Sequence, residues 1–110
     1  VWASSGGIWK ARELEFLPVS SYVSDLHGSY DGDTTGCGDN FLGGATASLA
    51  FQRDSGSSYL DIDQVYRMAS ASGAFACTYH GGAYREKEEG EKRSIVEKII
   101  ERDASRRRMN

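Results

Sequence analysis

The spacing of apolar residues along this chain changes character at Asp39. Before it, residues 1–3 (Val1, Trp2, Ala3) and 8–12 (from Ile8 and Trp9 to Arg12) flank Ser4, Ser5, Gly6 and Gly7. That is the pattern of two short extended segments joined by a glycine-rich turn. Pro18 breaks the local structure, residues 19–23 alternate loosely as a further strand, and residues 24–33 are polar and loop-like. The first third therefore reads as strands and turns.

Beyond Asp39 the period becomes helical. Residues 40–53 place Phe41, Leu42, Ala45, Leu49 and Ala50 at helix spacing among Gly43, Gly44, Ala47 and Ser48, and a helix with such small sides is normally buried. A Ser/Gly loop over 54–58 ends it. Asp61 followed by Gln64 forms a capping box for a second helix carrying Ile62, Val65, Ala69, Gly73 and Ala76 on one face, and residues 79–82 stop that helix. A mixed charge run covers 85–93, after which Ser94 with Glu97 predicts another capping box and an amphipathic helix through Ile95, Val96, Ile99 and Ile100. Residues 106–110 are expected to fray. No repeat or linker divides the chain, so its 110 residues read as a single domain. The few predicted strands are too few to build a sheet that covers the 40–53 helix, so the chain is expected to be part of a larger fold.

Composition narrows the function classes. Hydrophobic residues make up 39% and charged residues 26%, and no apolar run approaches the roughly 20 residues a membrane-spanning helix needs. Sixteen acidic against 13 basic side chains leave a net charge of -3, which disfavours general nucleic-acid binding. The basic run Arg106, Arg107, Arg108 reads as a tail rather than a nucleic-acid patch. Glycine takes 13 positions with a single proline, against roughly 7% glycine in an average chain. Backbone is being asked to approach something closely. Cys37 and Cys77 show no CxxC spacing and no signal-like segment opens the chain, so a reducing, cytoplasmic setting is expected.

Chemistry is most legible over residues 33–41. Gly36 and Gly38 flank one small residue ahead of a helix start, so successive N–H groups can point outward together while the helix adds roughly half a positive charge. The result is an anion cradle. Asp39 at its lip would repel an anion, yet is well placed to take a proton from a hydroxyl that attacks one. An Asp at such a position is most often a helix N-cap; the whole nonamer favours catalysis instead.

The run Asp33, Thr34, Thr35, Gly36, Cys37, Gly38, Asp39, continued by Asn40, Phe41, Leu42, Gly43, Gly44 and Ala45, resembles the C-terminal signature of the ribokinase-like (PfkB) carbohydrate kinases. The family pattern is Asp-Thr-x-Gly-Ala-Gly-Asp leading into a helix, and Cys37 departs from it where alanine is usual. The resemblance implies Asp39 as general base and Gly36, Cys37 and Gly38 as the anion hole. It extends to residues 67–78, similar to the family's Ala-rich helix beside adenine, which makes Ser70 and Gly73 candidate nucleotide contacts. Asp33, Thr35 and Gly81 become candidates near a monovalent cation. Residues 3–8 are similar to the strand-turn-strand that family members place before the signature.

The resemblance implies an α/β fold, the C-terminal part of a three-layer arrangement with a parallel-type sheet flanked by helices. It further implies ATP, Mg²⁺ and a cation such as K⁺ as cofactors, a sugar-like acceptor, the remainder of the kinase fold as partner, and a homodimer for the intact protein. An alternative from another class is a nucleotide- or anion-binding piece without turnover. A third is thiol chemistry at Cys37, whose place near a helix N-terminus could lower its pKa; no base lies near it in sequence. His27 and His80 lack partners at zinc spacing and read as solvated loop residues.

Overall fold

The computed structural model describes residues 19–26, 28, 32–56 and 59–109. These form four helices: α1 (Tyr22–Asp25), α2 (Cys37–Asp54), α3 (Ile62–Ala76) and α4 (Glu91–Met109). Among the described residues there is no strand. The expected α/β architecture with a parallel-type sheet is therefore corrected to an all-helical one. The expected segments over 1–12 lie outside the described residues. At 19–23 the strand expectation rested on five alternating positions, and serine chemistry overrides it. Ser20 Oγ accepts from Tyr22 N at 3.2 Å, and Asp25 N donates to Ser21 O at 2.9 Å. Side chains that bond nearby backbone in this way close a helical turn in place of a ladder.

α3 is the central element, with α2 packed along it and α4 and α1 against it. The core joins Ala71 and Phe75 of α3 to Val96 and Ile99 of α4, with Tyr22, Met68, Tyr79 and Tyr84 around it. Phe75, Tyr79 and Tyr84 meet one another edge-on or tilted at centroid distances of 5.0 to 5.4 Å, within the range where aromatic pairs attract beyond simple burial.

The α2–α3 contact is made by small residues. A Cβ placed on Gly44 would sit 2.7 Å from Met68 O and 2.6 Å from Ser72 Oγ. Only a hydrogen at that position lets the backbones approach so closely. At the far end of α2 the buried Gln52 grips the start of α3: its Oε1 accepts from Asp61 N at 2.7 Å and its Nε2 donates to Asp61 O at 3.0 Å. Asp61 is the N-cap, accepting from Asp63 N and Gln64 N, as its sequence position predicts.

Two expected boundaries move. α4 opens at Glu91, after Gly90 at φ +86°, and Ser94 lies inside it with its N–H donating to Gly90 O. The first turn is capped by Glu86, whose carboxylate accepts from Lys92 N at 2.9 Å, while Glu97 is held by Arg93. The Ser94–Glu97 box is thus replaced by an acid from the charge run. Helical backbone also continues to Met109, through the stretch expected to fray.

Candidate anion site at the N-terminus of α2

Gly36 is the N-cap of α2 and adopts a left-handed conformation at φ +80°, which residues bearing a Cβ seldom take. The reason for glycine here is also steric. A Cβ on Gly36 would fall 2.6 Å from Gly82 Cα, where the 79–82 loop crosses the 34–36 turn. Asn40 fastens the two loops, donating from Nδ2 to Gly36 O at 2.9 Å and to Gly82 O at 2.8 Å. Its Oδ1 accepts from Lys92 Nζ at 2.8 Å and faces Tyr79 OH at 3.5 Å. Nearby, a Cβ on Gly32 would collide with the backbone at the end of α3, 2.4 Å from Cys77 O.

Of the amides expected to line the cradle, that of Cys37 is committed to Thr34 O at 3.2 Å. Gly36 lies against the Gly82 backbone. Gly38 and Asp39 are exposed, and no acceptor among the described residues faces their N–H groups. These are the orphan donors of a first helical turn, where the macrodipole also favours negative charge. The open part of the cradle is therefore Gly38 and Asp39. Asp39 is not the N-cap but lies in the first turn, and its carboxylate has no hydrogen-bond or ion-pair partner among the described residues.

Asp33 is engaged on both oxygens. Oδ1 accepts from Thr35 N at 3.0 Å and Oδ2 lies 3.3 Å from His80 Nδ1. The bond to His80 and then the Thr35 amide hold its pKa below the ordinary 3.8. With Gly81 next to His80, the fold brings Asp33, Thr35 and Gly81 to one pair of loops, although Asp33 could ligate a cation only by sharing oxygens already in use. Among the described residues, no cluster of three or more His, Cys, Asp or Glu side chains could hold a metal ion.

Ser70 and Gly73 occupy the body of α3 and are buried. Ser70 Oγ accepts from Ser20 N at 3.0 Å, while a Cβ on Gly73 would meet Cys37 O at 3.3 Å and Phe41 Cβ at 3.4 Å. Packing accounts for both residues. Cys37 behaves opposite to an activated nucleophile: burial, then the neighbouring Cys77 thiol, push its pKa up to about 11.

Sequence reasoning missed Asn40, Lys92 and Gly82, which fix the shape of the site. Asn40 follows Asp39 directly and Gly82 stands in a Gly-Gly pair, signals that were visible but not tied together. Lys92 was indistinguishable within its charge run. Comparison with known families, characterised proteins and solved structures finds no match to the chain. No helix among the described residues is long and apolar enough to cross a membrane.

Proposed function

We propose that the N-terminus of α2 receives the terminal phosphate of ATP and that Asp39 accepts the proton of an attacking sugar-type hydroxyl. The activity is that of an ATP-dependent phosphotransferase related to the PfkB carbohydrate kinases. One observation carries this reading: two open first-turn amides, Gly38 and Asp39, beside an exposed carboxylate with no described partner. The resemblance of residues 33–39 to the kinase signature supports it. In such transfers the protein mainly positions reactants and stabilises charge, and Mg²⁺ neutralises the phosphates. The acceptor pocket would come from the remainder of a longer kinase chain, in a cytoplasmic setting.

The test is ADP release by the full chain with ATP, Mg²⁺ and a panel of sugars and nucleosides. Asp39→Asn is expected to lower turnover by roughly 10²–10⁴, the usual contribution of a general base, with ATP affinity unchanged. Undiminished turnover would remove Asp39 from that role. A second reading, anion binding without transfer, draws on the exposure of Gly38 and Asp39, because phosphoryl transfer works best where water is excluded. Calorimetric binding of ADP with no turnover of any acceptor would favour it.

A further inference from the structure

The side-chain amide of the half-buried Asn40 is saturated. Nδ2 donates to Gly36 O at 2.9 Å and to Gly82 O at 2.8 Å, while Oδ1 accepts from Lys92 Nζ at 2.8 Å and faces Tyr79 OH at 3.5 Å. That uses both N–H groups and both lone pairs of a primary amide. The carbonyls it grips belong to left-handed glycines, Gly36 at φ +80° and Gly82 at φ +75°. Glycine selects no backbone conformation by itself, so an outside contact has to set the geometry at which the 34–36 turn meets the 79–82 loop. Lys92 adds a second observation. It stands in the charge run with Glu86, Glu88, Glu89 and Glu91, yet its ammonium meets no carboxylate among the described residues and is spent on a neutral amide. A charged donor on Oδ1 polarises the amide and strengthens its N–H bonds to the carbonyls. It also excludes the flipped amide, whose NH₂ would face the ammonium.

We propose that Lys92 is a positioning residue for the mouth of α2. Acting through Asn40, it holds the Gly36 and Gly82 carbonyls in place and so aims the first-turn amides of Gly38 and Asp39. The link spans 52 positions of the chain and lets α4 control the mouth of α2 through a relay of side chains. The hold on the two carbonyls depends on the fold alone; its effect on a bound phosphate rests on the phosphotransferase reading.

The test compares the full chain with Lys92→Met, Lys92→Arg, Asn40→Ala and the Asn40→Ala, Lys92→Met double variant. Without ligand, Lys92→Met is expected to shift the carbonyl ¹³C resonances of Gly36 and Gly82 and the amide of Gly38, at unchanged helix content by circular dichroism. Lys92→Arg keeps a charged donor and should return them to their wild-type positions. In the Asn40→Ala background, Lys92→Met should move none of them further, as expected of residues that act in one chain of contacts. ATP with Mg²⁺, followed at the Gly38 and Asp39 amides, should bind Lys92→Met roughly fivefold more weakly than wild type. That ratio should survive high salt, which screens a simple long-range attraction to the ammonium, and should vanish in the Asn40→Ala pair. Unmoved Gly36 and Gly82 carbonyls, equal effects of Lys92→Met with and without Asn40, or ATP affinity unaltered by Lys92→Met would each overturn the proposal. Loss of the fold in Lys92→Met would overturn it too, since the role of Lys92 would then be stability. A wild-type chain that binds no ATP at these amides would remove the phosphotransferase reading, and the carbonyl shifts would still decide the role of Lys92.

Discussion

α2 and α3 are both rich in Ala, Ser and Gly, yet the molecule treats them differently. α3 buries a nearly continuous run, Ala69, Ser70, Ala71, Ser72, Gly73, Phe75 and Ala76, because α2 covers one side and α4 with α1 the other. α2 buries only Gly44, Ser48 and Gln52, a single stripe at four-residue spacing. Its larger apolar side chains stay partly uncovered, with Leu42 67% and Leu49 39% exposed. The lesson is that small residues decide how closely two helices approach, whereas the number of neighbouring elements decides how much of a helix is buried. A stripe of Gly, Ser and Gln can seat α2 on α3 through close backbone approach and hydrogen bonds while leaving Leu42 outside.

The largest expected effect contrasts the two helices directly. Phe75→Ala removes the ring that contacts Tyr79 and Tyr84 in the core and should cost roughly 3–5 kcal/mol. Leu42→Ala on the exposed side of α2, where the side chain is 67% exposed, should change stability by no more than about 0.5–1 kcal/mol, since surface substitutions are usually small. Urea unfolding of both variants measures the difference; equal losses would mean that α2 is covered as fully as α3.

Much of this helical framework was legible in the sequence, because α2 and α3 carry their period and α3 carries its cap. Asp61 and Gln64 predicted that N-terminus, and Gln52 supplies a further grip that no local pattern reveals. α1 was misread because five residues of weak alternation compete poorly with two serines able to bond the backbone. The sheet was a larger error: it came from the resemblance to the ribokinase-like kinases, and among the described residues no strand forms. At the candidate site, Gly36 and Asp39 stood out through their spacing. Which amides are open depends on the Thr34 carbonyl and the Gly82 backbone, contacts that only the folded chain defines.

Adjacent glycines of α2 sharpen the comparison within one helix. Gly44→Ala forces a methyl to within 2.7 Å of Met68 O and should destabilise by roughly 1–3 kcal/mol, as overpacking does. At Gly43 nothing lies within 4 Å of an added Cβ, and Gly43→Ala should stabilise by about 0.5–1 kcal/mol through lower backbone entropy in the unfolded state. Opposite signs in thermal unfolding are expected; two losses of similar size would show that Gly43 is also packed.

The smallest effect concerns the support of α1 by α4. A hydrogen bond from Arg102 holds the Asp25 carboxyl below its ordinary 3.8, and Arg106 reaches it at 2.8 Å. Because the folded-state pKa is the lower one, this contribution is present above about pH 3.8 and is lost as pH falls through the folded value. Arg102→Met should weaken that acid-dependent component, measured as chemical stability between pH 5 and pH 2, roughly the window over which paired carboxylates titrate. Superimposable pH profiles for the two proteins would show that the pair contributes nothing to folding.

The central claim is that the first turn of α2 presents free amides to a phosphate. Amide ¹⁵N–¹H spectra of the full chain titrated with ATP and Mg²⁺ test it most directly. The largest shifts should fall on Gly38 and Asp39, with Cys37 nearly still because its N–H already bonds Thr34 O. Shifts centred on another element, or none at Gly38 and Asp39 at millimolar ATP, would contradict it.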